Sequence, residues 1–593
     1  MTHSFHIPVL GLAFSIDTPI KVAQYGISSV ISIVDDELIE RMREYYSKLY
    51  DLPFEAISKK VYDFRAERIT KYLDMVQDLV TLQLEKLKRV DWNEDRNANR
   101  YFELLPEKHP SKSKFETWKS LDHGIEKHLI ANEIREAIVS GEIDVNIMSK
   151  VDKVNSDSKG QLLPEIFSDA SAAVRGFAKS KLHSSLVLSA GMNPRLYAYL
   201  SELGAFFPDA DGNFEKKITL KVSDYRSALI QAKYLAKRGI WISEYRIESG
   251  LNCGGHAFAT DGFLLGPILE EFKNNKEALI TDIYPLYQAA LQDLGLNSEI
   301  APAVKFTVQG GVGTSQEHSF LLNYYNMDAV GWGSPFLLVP EATTVDDETL
   351  NDLANASAED FYISPASPLG VPFNNFRKSS AEKSRLKRIE QGRPGFPCTK
   401  KYLVSQTNMS AEPQCTASRV YQLSKIKELE LLHLDEDNYR LAYDKIVEKQ
   451  CLCEGLATPA YLKYGLLKPK ERDAVAICPG PNTAYFNKIY SLKEMVDHIY
   501  GRVNVLNGVK RPSFFINELE LYVKHLAGYI NENLPDLDVK KKKYIQKFHA
   551  QLLDGISYYR SLQSKVNLAF GESKNAFYEQ LNRLESQLAP LDV

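Results

Sequence analysis

The chain is poor in the features that would place it in a membrane, outside a cell or on nucleic acid. No charge-free run of about 18 apolar residues occurs in its 593 positions, and a helix shorter than that does not span a bilayer. The opening Met1-Thr2-His3-Ser4-Phe5-His6 lacks the basic stretch and apolar core of a secretion signal, so a cytoplasmic location is expected. Cysteine is scarce, six residues in all, too few for a disulfide scaffold of this length. Neither sign of charge dominates. The net charge of −5 gives no general attraction to nucleic acid or an anionic membrane, and the run Lys540 to Lys543 reads as a solvated helix start. No Gly-x-Gly-x-x-Gly follows a strand-like run, so no dedicated dinucleotide domain is expected. Internal repeats and low-complexity tracts are also missing.

What the chain does have is ample core material, 44% hydrophobic residues, laid out as alternating short apolar runs and helical patterns. That alternation is the mark of parallel β/α units. The apolar runs predict strands over His6 to Ile16, Ser28 to Val34, Ile143 to Met148, Ser185 to Ser189, Ile218 to Val222, Ile240 to Ile247 and Val304 to Val308. An eighth starts at Asp328 to Gly331 and continues over Pro335 to Val339. Eight strands in this span fit an α/β fold, a (β/α)8 TIM barrel over residues 1–345, with an open doubly wound sheet as the alternative. A helical insertion interrupts it after the second strand, about 36–140, with Ile69 to Leu87 as its clearest amphipathic stretch. Residues 346–485 read as an irregular region holding most of the cysteines, and 486–593 as a mostly helical extension.

Three glycine-bearing sites close predicted strands. Asn252-Cys253-Gly254-Gly255-His256 follows the sixth, Gly310-Gly311-Val312-Gly313-Thr314 the seventh, and Gly331-Trp332-Gly333-Ser334 the eighth. In a barrel these tips face the reaction site, and the last two loops are where phosphate is commonly held. Bare backbone there can approach a flat ring and present N–H groups to an anion, while an imidazole beside them can move a proton. Together they suggest FMN held by backbone, with His256 over its ring. Singly each pair also reads as an ordinary turn, and His256 as a capped structural histidine.

These residues resemble the nitronate monooxygenase (2-nitropropane dioxygenase-like) flavoproteins over roughly residues 5–345. The likeness rests on Gly254-Gly255-His256, Gly310-Gly311 and the run Asp328-Ala329-Val330-Gly331-Trp332-Gly333-Ser334-Pro335-Phe336-Leu337. Pro8 to Ala13 with Thr18-Pro19, and Asp144 to Met148, add to it. The glycine pattern after the eighth strand is also similar to the flavin domain of glutamate synthases. The resemblance implies His256 as the catalytic or substrate-orienting imidazole. It further implies Ala13, Asn146, Lys221, Gly254 and Gly255 near the flavin, and Gly310, Gly311, Gly331, Gly333 and Ser334 around its phosphate. Where the family commonly carries Glu-Ala before Gly-Gly-His, this chain has Asn252-Cys253. Cys253 is therefore a further candidate in the site, as nucleophile, extra ligand or small buried residue.

Five of the six cysteines, Cys398, Cys415, Cys451, Cys453 and Cys478, fall within residues 398–478. Thiolates gathered this way suit an iron–sulfur cluster of the 4Fe-4S kind or zinc, with buried unmetallated thiols as the plain alternative. Cys415, Cys451, Cys453 and Cys478 are the favoured ligands, and Cys398 their substitute. The leading expectation is an FMN-dependent oxidoreductase. It would pass electrons between a small organic substrate and an iron–sulfur cluster or an external, ferredoxin-like carrier. The competing readings are a nitronate monooxygenase-like oxidase using dioxygen without a cluster, and a non-catalytic barrel interaction protein. A nucleic-acid-modifying flavoenzyme is a fourth, disfavoured by the acidic balance. Substrate identity and oligomeric state are left open.

Overall fold

A computed structural model describes residues 2–122, 124–149, 152–156, 161–404, 413–534, 537–562 and 574–591. Eight parallel strands close into a barrel in sequence order. They are β1 Phe5–Ile7, β2 Ser28–Ser32, β3 Ile143–Asn146, β4 Ser184–Leu188, β5 Lys216–Val222, β6 Ile242–Glu248, β7 Lys305–Gln309 and β8 Ala329–Gly331. Closure is made by β8 against β1, with Phe5 opposite Val330 and His6 opposite Gly331. That pairing removes both edges and rules out the open doubly wound sheet.

Several strands end earlier than their apolar runs. β1 stops at Ile7, because Pro8 has no N–H to give the ladder and Gly11 turns the chain at φ +117°. The expected continuation of β8 is instead a 3-10 turn, Ser334–Leu338, with Pro335 in its first turn. The region 341–400 is more ordered than its composition suggests. It holds helices Asp347–Ala354 and Ser380–Glu390 and an antiparallel hairpin of β9 Phe361–Ser364 with β10 Phe373–Phe376.

The insertion after β2 is five helices, Asp36–Leu49, Phe64–Arg89, Arg96–Leu104, Pro110–Ser120 and Ile125–Ala137. Asp35 opens the first by accepting from the N–H groups of Glu37 and Leu38, the usual work of an N-cap carboxylate. The insertion has its own aromatic centre, in which Trp92 is 1% exposed and Phe102 stacks on Phe115 at 3.8 Å between centroids. Helix Phe64–Arg89 then lies on helix Asp169–Lys179. The two come close at Gly176, where a Cβ would sit 2.8 Å from the Ala66 carbonyl.

Three long C-terminal helices, Phe514–Asn533, Val539–Ser561 and Lys574–Leu588, join the same hydrophobic core as the barrel through Phe515, Leu519, Phe548 and Leu581. A smaller apolar cluster, including Phe373, Leu403, Leu452, Cys453 and Cys478, sits apart from that core. No helix among the described residues is long and apolar enough to cross a membrane.

Candidate functional site

Beyond the strand tips, β6 runs into a turn that only small residues permit. A Cβ on Gly250 would lie 2.0 Å from the Phe258 carbonyl oxygen, and Gly255 adopts φ +80°. The Gly-Gly-His loop is held by chain from far downstream. Gly255 donates its N–H to the Cys478 carbonyl at 3.0 Å and accepts from the Asn374 N–H at 2.9 Å. The Asn374 amide also donates to the Cys253 carbonyl at 2.9 Å. His256 thereby lies beside β10, its ring 5.1 Å from that of Phe373 and its Nε2 2.7 Å from the buried Ser367 hydroxyl.

A cavity of about 950 Å³ opens at these strand ends, at the upper end of what small-molecule and cofactor sites occupy. Its wall includes Asn146, Lys221, Cys253, Gly254, Gly255, His256, Gly310, Gly311, Gly331, Gly333 and Ser334. Every flavin-site residue expected from the sequence is therefore there except Ala13. That residue is fully buried, and its N–H is spent on the Leu456 carbonyl at 3.0 Å. Lys221 pairs with Glu248 at 3.2 Å, and Glu248 also accepts from the Gln309 amide at 3.0 Å. The side-chain amide oxygen of Gln309, on the same wall, is buried and takes no hydrogen bond among the described residues.

The loops after β7 and β8 fit an anion such as the FMN phosphate. Among the described residues no acceptor takes the N–H groups of Gly311, Val312 or Gly333. The Ser334 hydroxyl accepts from the Gly480 N–H at 2.8 Å, which leaves its own hydrogen free to donate. Gly311 is fixed by packing as well as by φ +76°, since a Cβ there would fall 2.0 Å from the Asn252 amide nitrogen. Behind the loop, Thr314 and Glu317 form a capping box. Arg511 bonds the Gly311 carbonyl, Glu317 and Asn482. FMN would be held by this backbone and Ser334, with Asn146 and Lys221 at its ring.

Below the cavity floor the barrel interior is ionic. Arg246 bridges Glu244 at 2.8 Å and Asp144 at 3.0 Å. Burial pushes the Asp144 carboxyl upward. Burial acts the same way on Glu244, but the Arg246 guanidinium outweighs it and holds that group low. This layer fixes the floor on which Asn146 and Glu248 stand two residues further along β3 and β6.

The cysteines divide differently from expectation. Cys253 is half-buried in the cavity wall, and desolvation raises its thiol, with Glu248 adding to the effect, which disfavours the thiolate. Cys478 shares a small apolar cluster and the cavity lining with Cys453, while Cys398, Cys415 and Cys451 do not line that cavity. A Cβ on Gly11 would be 3.8 Å from the Cys478 sulfur, and burial pushes the Cys478 thiol up to about 12. Cys398 and Cys415 do pair through their thiols, which lowers the first and raises the second. Cys453 acts electrostatically on Cys415, and Cys451 and Cys398 act on Cys453. Among the described residues no group of three or more His, Cys, Asp or Glu is arranged to hold a metal ion. The five-cysteine metal set is therefore not assembled in the structure.

The sequence reading missed the residues that complete the site from the far half of the chain: Ser367, Asn374, Gly480, Asn482 and Arg511. Only Pro479-Gly480-Pro481 carries a local signal, a forced turn directly after Cys478.

No protein-family model matches the chain, and no curated protein does. Solved structures similar to it include a FabK mutant from Thermotoga maritima, 11% identical, covering 68% of this chain and 84% of that one with a TM-score of 0.30. The enoyl reductase domain of MlnA, from the macrolactin biosynthesis cluster of Bacillus amyloliquefaciens, is 15% identical, with coverages of 69% and 90% and a TM-score of 0.34. Nitroalkane oxidase from Streptomyces ansochromogenes is 9% identical, with coverages of 85% and 97% and a TM-score of 0.33. At such scores the fold assignment stands on the barrel's own strand pairing.

Proposed function

We propose that this chain is an FMN-dependent oxidoreductase acting on a small organic substrate at the C-terminal mouth of the barrel. The observation that carries the reading is the pair of neighbouring loops with unspent N–H groups at Gly311, Val312 and Gly333. They lie on the wall of a cavity that also holds His256 and Lys221. A phosphate at those loops gains hydrogen bonds that water no longer has to supply. Bound FMN would supply hydride or single-electron transfer. The chain's own part is to hold and orient. Lys221 offers a cation to the electron-rich edge of the ring, the glycines admit it, and His256, steadied by Ser367, takes or gives a proton at the substrate.

The finer half of the proposal is an iron–sulfur relay to an external, ferredoxin-like carrier, resting on Cys398, Cys415, Cys451 and Cys453 without Cys478. Its support is that each of these sulfurs takes a backbone N–H, from Lys401, Ala417, Glu454 and the Tyr402–Leu403 pair respectively. Such bonds favour thiolates, lowering Cys398 together with its bond to Cys415 and offsetting part of the upward shift of Cys415, Cys451 and Cys453. Loading would have to draw the four closer together, as metal binding coupled to local folding does.

An anaerobic absorbance spectrum of the purified protein, with iron and sulfide assays on the same sample, tests both halves. Flavin bands with iron and sulfide are the expected result. Flavin without iron leaves the oxidase that uses dioxygen directly. No flavin, even after incubation with excess FMN, overturns the function.

A further inference from the structure

Helix Phe514–Asn533 sends one carboxyl to the barrel mouth, and nothing assigned so far uses it. Glu518 is 1% exposed, and among the described residues no lysine, arginine or histidine lies within ion-pair distance of it. One oxygen is hydrogen-bonded to the Ser249 hydroxyl. The other accepts the Leu265 N–H at 2.8 Å and sits 3.4 Å from the Tyr559 hydroxyl. Ser249 is the residue after β6, and it lines the cavity. The further titratable neighbours are Tyr522, on the same helix, and Cys253, whose other charged neighbours are the paired Glu248 and Lys221. Among the described residues, no cation faces this carboxyl from the elements packed on it.

We propose that Glu518 is the proton reservoir of the cavity, exchanging protons with whatever occupies the β6 mouth through the Ser249 hydroxyl. A carboxylate buried without a cation is costly, so the group is held as the neutral acid. Burial pushes it to about 7, where both forms are accessible. In the transfer, the Glu518 O–H bond breaks and its proton passes to Ser249 Oγ. The Ser249 hydrogen leaves for a basic atom in the cavity, and the carboxylate remains until the reverse transfer restores it. A purely structural role, capping the start of helix Leu265–Asp293, needs only an acceptor for the Leu265 N–H. It uses neither the second oxygen nor the link to the cavity.

The inference rests on the cavity being the reaction site, but its test does not require bound FMN. Infrared spectra of the full chain without added cofactor should show a buried carboxylic C=O stretch that fades with a midpoint near pH 7. E518Q should abolish that band, and E518D should move it if the glutamine variant does not fold. On mixing with D2O, the band should shift promptly in the wild type. In S249A it should shift about tenfold more slowly, or slower still, as one hydrogen-bond link is lost. A band that exchanges equally fast in S249A, or a Glu518 ionised at every pH from 5 to 9, overturns the proposal. If FMN is not bound but the band behaves as expected, Glu518 stands and the cofactor assignment falls.

Discussion

At the scale of single residues, the site depends on side chains whose partners are already specified. Ser334 has one hydrogen committed to it, from Gly480, and one of its own to give. Replacing it with alanine removes that donor, and a hydrogen bond to a charged group is worth about 1.5–3 kcal/mol. FMN affinity measured by fluorescence quenching should fall about tenfold to a hundredfold, and an unchanged affinity would take Ser334 out of the phosphate site. His256 is different, because its wall position can be emptied without touching the phosphate loops. H256A should keep FMN and lose turnover. S367A, which removes the hydroxyl 2.7 Å from Nε2, should lower kcat while leaving FMN content intact. Full activity in both variants would make His256 a structural group.

At the scale of elements, the helical insertion and the barrel mouth should respond separately. Trp92 is sealed among Phe102, Phe115 and Trp118 in the insertion, and W92A should cost about 3–5 kcal/mol, the range for truncating a buried aromatic. Denaturant melts would read the loss. FMN affinity of the folded fraction should not change, because none of these rings lines the cavity. Element order was readable in the sequence, since each barrel strand is a short apolar run between helical patterns, and the Gly-Gly-His, Gly-Gly and Gly-Trp-Gly-Ser tips all came to the cavity. Strand ends were less readable. Apolar runs continue past the ladder, and only Pro8 and Pro335 say where it stops. Cys478 was ambiguous because cysteine next to proline fits a cluster ligand and a tight turn alike. The turn is what the structure shows, with the Cys478 carbonyl accepting from the Gly255 N–H. Ser367, Asn374 and Arg511 had no local pattern at all, because their role lies in contacts across more than a hundred residues.

At the scale of the whole molecule, folding is tied to protonation through Glu518. Its carboxyl is raised from an ordinary 4.5 to about 7 in the folded chain. Below pH 4.5 it is protonated whether folded or not, and its full contribution to stability is present. As pH rises towards 7 the unfolded chain gives up the proton first, and that contribution is lost; above 7 the loss is complete. E518Q, which cannot ionise, should flatten this part of the profile. Relative to wild type, its melting temperature should be higher at pH 8 than at pH 5. An identical pH dependence in the two proteins would mean that the carboxyl titrates normally.

The contact between Gly255 and the Cys478 carbonyl also sets a timetable. Gly254-Gly255-His256 leaves the ribosome more than two hundred residues before the turn that shapes it, a delay on the order of ten seconds or more at ordinary elongation rates. Once β8 has been made, the nascent barrel has its strands but no finished mouth until Cys478 follows. On the proposed function, FMN loading follows synthesis of this turn, and a product truncated before Cys478 should emerge colourless however much FMN surrounds it.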